Sequence, residues 1–241
     1  MSAFATTRWS LVLAAGDSDD SSSARRALAE LCEQYWYPLY AYVRRRGHDA
    51  EDARDLTQAF FAKLLEKRDL AHAEPARGRF RTFLLTAMKN FLAGEWRKQQ
   101  AQKRGGAVTT LALDFDSAEE TYQLEPSHGQ DPEALYHRRW ALGLLERALA
   151  ELQQHYEKTG RGALFEALKG SVSGEVDLPY AELAPRLEMS EGALRTAASR
   201  LRSRWRRRLR EMVAETVGAP DPARSETTVQ DELQILIAAL G

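Results

Sequence analysis

The chain has 241 residues, 44% of them apolar and 29% charged, which is enough to build a core and excludes global disorder. Its 34 basic and 35 acidic side chains leave a formal charge of −1, so it is no simple polycation, and the charges are instead sorted into blocks. The one cysteine, Cys32, excludes an internal disulfide and a cysteine-based zinc cluster. Apolar runs are too short for a secretory or spanning segment, so the chain reads as soluble and cytoplasmic.

Periodicity is almost wholly helical, with no alternating strand-type run. Ser21, Ser22 and Ser23 are natural caps for a long first helix in which Leu28, Leu31, Tyr35, Leu39 and Tyr42 recur at three- and four-residue steps. Pro38 predicts a bend, and Gly47 closes the helix after Arg44, Arg45 and Arg46 at the negative end of its dipole. A second helix over residues 49–67 carries Asp49, Glu51 and Asp52 in its first turn and buries Leu56, Phe60 and Leu64, with Phe61 and Leu65 as further candidates. After the loop AHAEPARG (residues 71–78) comes a third helix with Arg79, Arg81, Lys89, Arg97, Lys98, Lys103 and Arg104 among Phe80, Phe83, Phe91 and Trp96. Cations beside aromatic faces suit single-stranded bases, through phosphate neutralisation and stacking. Phe80, Phe83 and Phe91 fit a core equally well, which leaves Asn90 and the loop as better base contacts. These helices define a domain over residues 20–104.

Residues 105–132 carry Asp114, Asp116, Glu119, Glu120, Glu125 and Asp131 with no Lys or Arg, beside Gly105, Gly106, Pro126 and Gly129. This composition predicts an extended acidic linker. A second helical domain is expected over residues 133–217. Beyond GAPDPARS (residues 218–225), an amphipathic helix over 225–241 places Val229, Leu233, Leu236, Ile237 and Leu240 on one face.

The most informative stretch is residues 179–210. A short helix begins at Pro179 with Leu183 and Leu187 inward. After a turn, Ser190 caps a new helix with Glu191 in its first turn and Met189 and Leu194 as a hydrophobic staple. Ala184, Leu194 and Leu201 lie where two crossing helices touch, which is the helix-turn-helix pattern. The second helix offers Glu191, Arg195, Thr196 and Ser199 to base edges: an acceptor for cytosine, a fork for guanine, and hydroxyls. Arg200, Arg202, Arg204, Arg206, Arg207, Arg208 and Arg210 suit phosphates. The plain alternative is a solvated arginine-rich face.

DAEDARDLTQAFFAKLL (residues 49–65), RFRTFLLTAMKNFLAGEWRKQ (79–99) and YAELAPRLEMSEGALRTAASRLR (180–202) resemble, in this order, a bacterial RNA polymerase sigma factor of the extracytoplasmic-function (ECF) type. The opening TTRWSLVLAAGD and closing QDELQILIAAL look like one ECF subgroup. The resemblance implies an all-α protein with a three-helix sigma region 2 domain and a region 4 helix-turn-helix domain joined by an acidic linker. It implies core RNA polymerase and promoter DNA as partners, a monomer when free, no membrane association, no cofactor or metal, and no catalysis of its own. Asp55, Leu56, Gln58 and Ala59 would then contact polymerase. Arg79, Arg81, Asn90, Trp96 and Arg97, with the loop 71–78, would hold the melted −10 strand. Ser190, Glu191, Arg195, Thr196, Ser199, Arg200 and Arg202 would read the −35 duplex, while the linker threads toward the RNA exit path.

Many family members carry Glu where Ala59 stands here. Related proteins are proposed to be switched by Ser/Thr kinases at such a threonine, so phosphorylation of Thr57 would restore the charge; the plain alternative is an ordinary helix threonine. An anti-sigma factor or such a kinase is the implied regulator. The last helix is expected to fold back on one of the domains and restrain the free protein. His48, His72, His128, His137 and His155 show no ligand spacing, and neither a phosphate-cradling glycine loop nor a nucleophile–base set is visible. A helix-turn-helix regulator acting without polymerase is the rival reading; it needs a dimer seam, and no sustained heptad is present.

Overall fold

The computed structural model describes residues 21–66, 79–101, 115–125, 131–174, 178–217 and 222–240, and every regular element among them is a helix. The chain packs as two units, Met1–Gly143 with Val213–Gly241, and Leu144–Met212. The loop 71–78, Lys103 and Arg104 lie outside the described residues.

The first unit is founded on α1 (Ser21–Arg45), α2 (Ala50–Glu66) and α3 (Phe80–Ala101). Cys32, Tyr35, Leu39 and Tyr42 form the buried stripe of α1, but Tyr40, Ala41 and Val43 are buried too, so its C-terminal half is covered all round. Pro38 stays inside this helix. Gly47 ends the segment at φ 97, the left-handed conformation that frees the chain to turn. Asp49 then caps α2, its Oδ1 accepting from the Asp52 N–H at 2.8 Å. Edge-on ring pairs tie the three helices together, Tyr35 to Phe80 at 5.4 Å and Phe60 to Phe91 at 5.7 Å. Phe80 and Phe91 are therefore core residues, and Phe83 stacks on Phe80 at 5.9 Å.

The acidic stretch corrects the expectation of an extended linker. Its described part forms α4 (Phe115–Gln123), docked on α1. Phe115 and Ala118 are buried, and the Phe115 ring packs edge-on to Trp36 at 5.2 Å and Tyr40 at 5.6 Å. Glu119 accepts from Arg44 Nε at 2.9 Å and Nη2 at 2.7 Å and from the Tyr40 hydroxyl. This forked hydrogen bond holds the Glu119 carboxyl below its ordinary value and raises Arg44, while burial first and Glu119 second push the Tyr40 phenol up. The acidic run lacks basic neighbours in sequence because its cation sits 75 residues away.

Two long helices, α5 (Pro132–Lys158) and, further along, α9 (Glu191–Val217), run from one unit into the other, so the unit boundary falls inside helices rather than at residue 133 or 217. The start of α5 belongs to the first unit because Leu135, Tyr136 and Trp140 are buried there and the Tyr136 hydroxyl donates to the Arg81 carbonyl at 2.9 Å. The C-terminal helix, α10 (Pro222–Leu240), belongs there as well. Its inward face is Val229, Glu232 and Leu236; Ile237, expected on that face, is 68% exposed.

In the second unit Leu152 and Tyr156 of α5 pack with Phe165 and Leu168 of α6 (Gly162–Leu168) and with Ala198 and Leu201 of α9. After α7 (Gly170–Ser173) comes α8 (Tyr180–Arg186), then a turn into α9. The Met189 N–H reaches back to the Ala184 carbonyl at 3.0 Å, and Glu188 adopts φ 52. That is a Schellman ending with a glutamate where glycine is usual.

Candidate polymerase and nucleic-acid interfaces

The start of α9 is fixed by its cap. The Ala193 N–H donates to Ser190 Oγ at 3.2 Å and the Leu194 N–H to the Ser190 carbonyl at 3.0 Å. With Leu194, Ala198 and Leu201 buried, the opposite side presents Arg195, Thr196, Ser199 and Arg200 to solvent, with Glu191 and Arg202 half-buried. Arg195 is tied only loosely, to Glu191 one turn back at 2.9 Å. Further along, Arg208 is committed to Glu151 of α5, Nη2 to Oε1 at 3.2 Å, whereas Arg206 and Arg207 stay exposed. The face combines one forked donor, two hydroxyls and surrounding cations, the chemistry that base edges and phosphates require.

On α3, Asn90, Trp96 and Arg97 are exposed, Trp96 by 62%. Arg81, expected to hold a DNA strand, is instead 3% exposed. Its Nε and Nη2 donate to the two carboxylate oxygens of Glu232 at 2.7 and 3.1 Å, and Arg79 Nε reaches the same group at 2.5 Å. Arg81 Nη1 also meets His137 Nδ1, and its guanidinium lies 5.0 Å over the Trp140 ring. Burial and then the Arg81 charge push His137 down to about 4, leaving the ring neutral. Reading the sequence alone missed Glu232; the available signal was an acid on the 229–232–236 face of an amphipathic helix.

On α2, Asp55 is exposed and Leu56 and Ala59 half-buried, but Gln58 and Thr57 are buried. Thr57 has no exposed surface, and its hydroxyl donates to the Ala53 carbonyl at 2.7 Å. A kinase-accessible threonine is therefore not what this helix offers, because residue 57 follows Ala53 and precedes Phe60 and Phe61 on the core side. The exposed run on α2 is Glu51, Asp52, Arg54 and Asp55.

Residues 31–102 match the Sigma-70 region 2 family. This segment is similar to sigma-70 region 2. It takes in α1 from Leu31 onward, α2 and α3, so the exposed acids of α2 and the exposed Asn90, Trp96 and Arg97 all lie within it. The region 2 domain supports a sigma-factor role in promoter recognition and melting, with core RNA polymerase and promoter DNA as the partners such a domain implies. No curated protein and no solved structure matches the chain, and no described helix is long and apolar enough to cross a membrane.

Proposed function

We propose that the chain is an ECF-like sigma factor which binds core RNA polymerase through α2, holds the melted −10 strand on α3, and reads the −35 duplex with the start of α9. The observation that carries this reading is the coexistence, in one chain, of a region 2 domain and a capped helix presenting Arg195, Thr196 and Ser199. A surface that grips unstacked bases binds open DNA better than closed DNA, so it shifts the promoter toward melting without any catalysis of its own. Asp55 and Leu56 are the polymerase contacts; Asn90, Trp96 and Arg97 hold the strand. Glu191, Arg195, Thr196 and Ser199 face base edges, and Arg200 and Arg202 face phosphates. Thr57 has no part as a switch while its hydroxyl stays buried.

The test is co-purification with bacterial core RNA polymerase followed by run-off transcription on promoter templates. Stable association and promoter-specific transcripts are expected. Failure to associate, with duplex binding retained, would turn the chain into a DNA-binding regulator independent of polymerase. Arg195→Ala is expected to cost about 1–3 kcal/mol on one −35 sequence and to relax one base position; uniform loss across sequences would mark a phosphate contact instead.

A further inference from the structure

We propose that the Arg79–Arg81 edge at the start of α3 is a seat for a backbone phosphate of nucleic acid, and that Glu232 of α10 fills it in the free protein. This inference rests on the strand-holding role given to α3 above. Two guanidinium groups converge on one carboxylate: Arg81 as a fork at 2.7 and 3.1 Å, Arg79 through Nε at 2.5 Å. That is the arrangement by which arginines grip a phosphodiester, whose oxygens present similar bidentate geometry.

The charge balance favours exchange. Both arginines are cations, Glu232 supplies one negative charge, and the adjoining Lys89–Glu133 pair at 2.5 Å is neutral as a unit. His137 touches Arg81 through Nδ1 as an uncharged acceptor. Among the described residues the seat thus carries one positive charge more than its acid neutralises, and a strand bearing successive phosphates would match it better than a single carboxylate.

α10 buries Val229, Glu232 and Leu236, while Ile235 is 39% and Ile237 68% exposed. A polyanion that takes over Arg79 and Arg81 removes the ionic contact of Glu232 from that anchorage and favours release of the helix. The free protein therefore carries its own competitor, and strand binding and release of α10 are one event.

The experiment is fluorescence anisotropy of a labelled single-stranded DNA with the full chain, read as affinity and salt dependence. Glu232→Gln removes the competing charge, and Leu236→Asp undocks the helix without touching Glu232. Ile237→Asp adds the same charge on the exposed side as a control. Glu232→Gln and Leu236→Asp are each expected to tighten binding about tenfold, the scale of one or two hydrogen bonds to charged groups. The salt slope is expected to steepen by about 0.7 for one added phosphate contact on a single strand. Ile237→Asp should match the parent. Equal or weaker binding by Glu232→Gln and Leu236→Asp would overturn the competitor role alone. Absence of binding by every chain would overturn the strand-holding role and this inference together.

Discussion

Two helices of this protein carry arginines suited to phosphates, and they differ in what those arginines touch. On α3, Arg81 is closed on an acid 151 residues along the chain and sealed from solvent. On α9, Arg195 meets only Glu191 among the described residues, one helical turn away, with most of its side chain in water. The first kind of arginine is part of the fold and becomes a ligand only through exchange; the second is available from the start. Sequence shows where cations are, and tertiary pairing decides which of them are free to bind.

The comparison breaks most visibly under substitution. Arg81→Ala is expected to destabilise the first unit by about 3 kcal/mol in chemical denaturation, because it leaves the buried Glu232 with Arg79 alone. Arg195→Ala should shift stability by less than about 0.5 kcal/mol, as befits an exposed pair. Equal effects from the two would erase the distinction. On α2, Thr57→Asp should cost about 3 kcal/mol or more by placing an unpaired charge in the core, and Thr57→Val about 1 kcal/mol for the lost hydrogen bond; near-neutral behaviour of Asp at this position would mean that residue 57 reaches solvent.

Acid sharpens the same contrast. His137 in the unfolded chain takes a proton as pH falls below its ordinary 6.5, whereas the folded ring waits until about 4. Its contribution is therefore complete above pH 6.5 and is lost as pH falls toward 4. The loss by about pH 5 is about 1 kcal/mol once solvent screening of a part-exposed ring is allowed for, and His137→Asn should flatten that slope. Glu119, held low mainly by its hydrogen bond from Arg44, contributes above its ordinary 4.5 and yields only in stronger acid. Effects of similar size belong to the turn before α9. Ser190→Ala should cost about 1 kcal/mol, and Glu188→Gly should return up to about 1 kcal/mol by relieving the left-handed backbone.

Much of this was legible beforehand. The three helices of the first domain, the Gly47 stop and the Ser190 cap follow from local rules: spacing, a left-handed residue, a short polar side chain at a helix start. What stayed hidden depends on partners far apart in sequence. Residues 115–123 look like a tether because local composition cannot reveal that Arg44 and Tyr40 wait to pair with Glu119. Apolar spacing alone turns Ile237 inward, whereas the face of α10 is chosen by the ionic seat for Glu232 as well. A motif position does not show which way Thr57 faces; Ala53, Phe60 and Phe61 turn that side of α2 inward.

The depth of each ionic contact gives the molecule a graded response to dissolved ions. On the function proposed above, phosphate contacts on the open side of α9 would weaken first as salt rises. The half-covered Arg44–Glu119 fork that fastens α4, with side chains about a fifth exposed at 19% and 21%, loosens later. Glu232, at 1% exposure, is shielded from small ions and answers to a polyanion large enough to compete for both arginines at once.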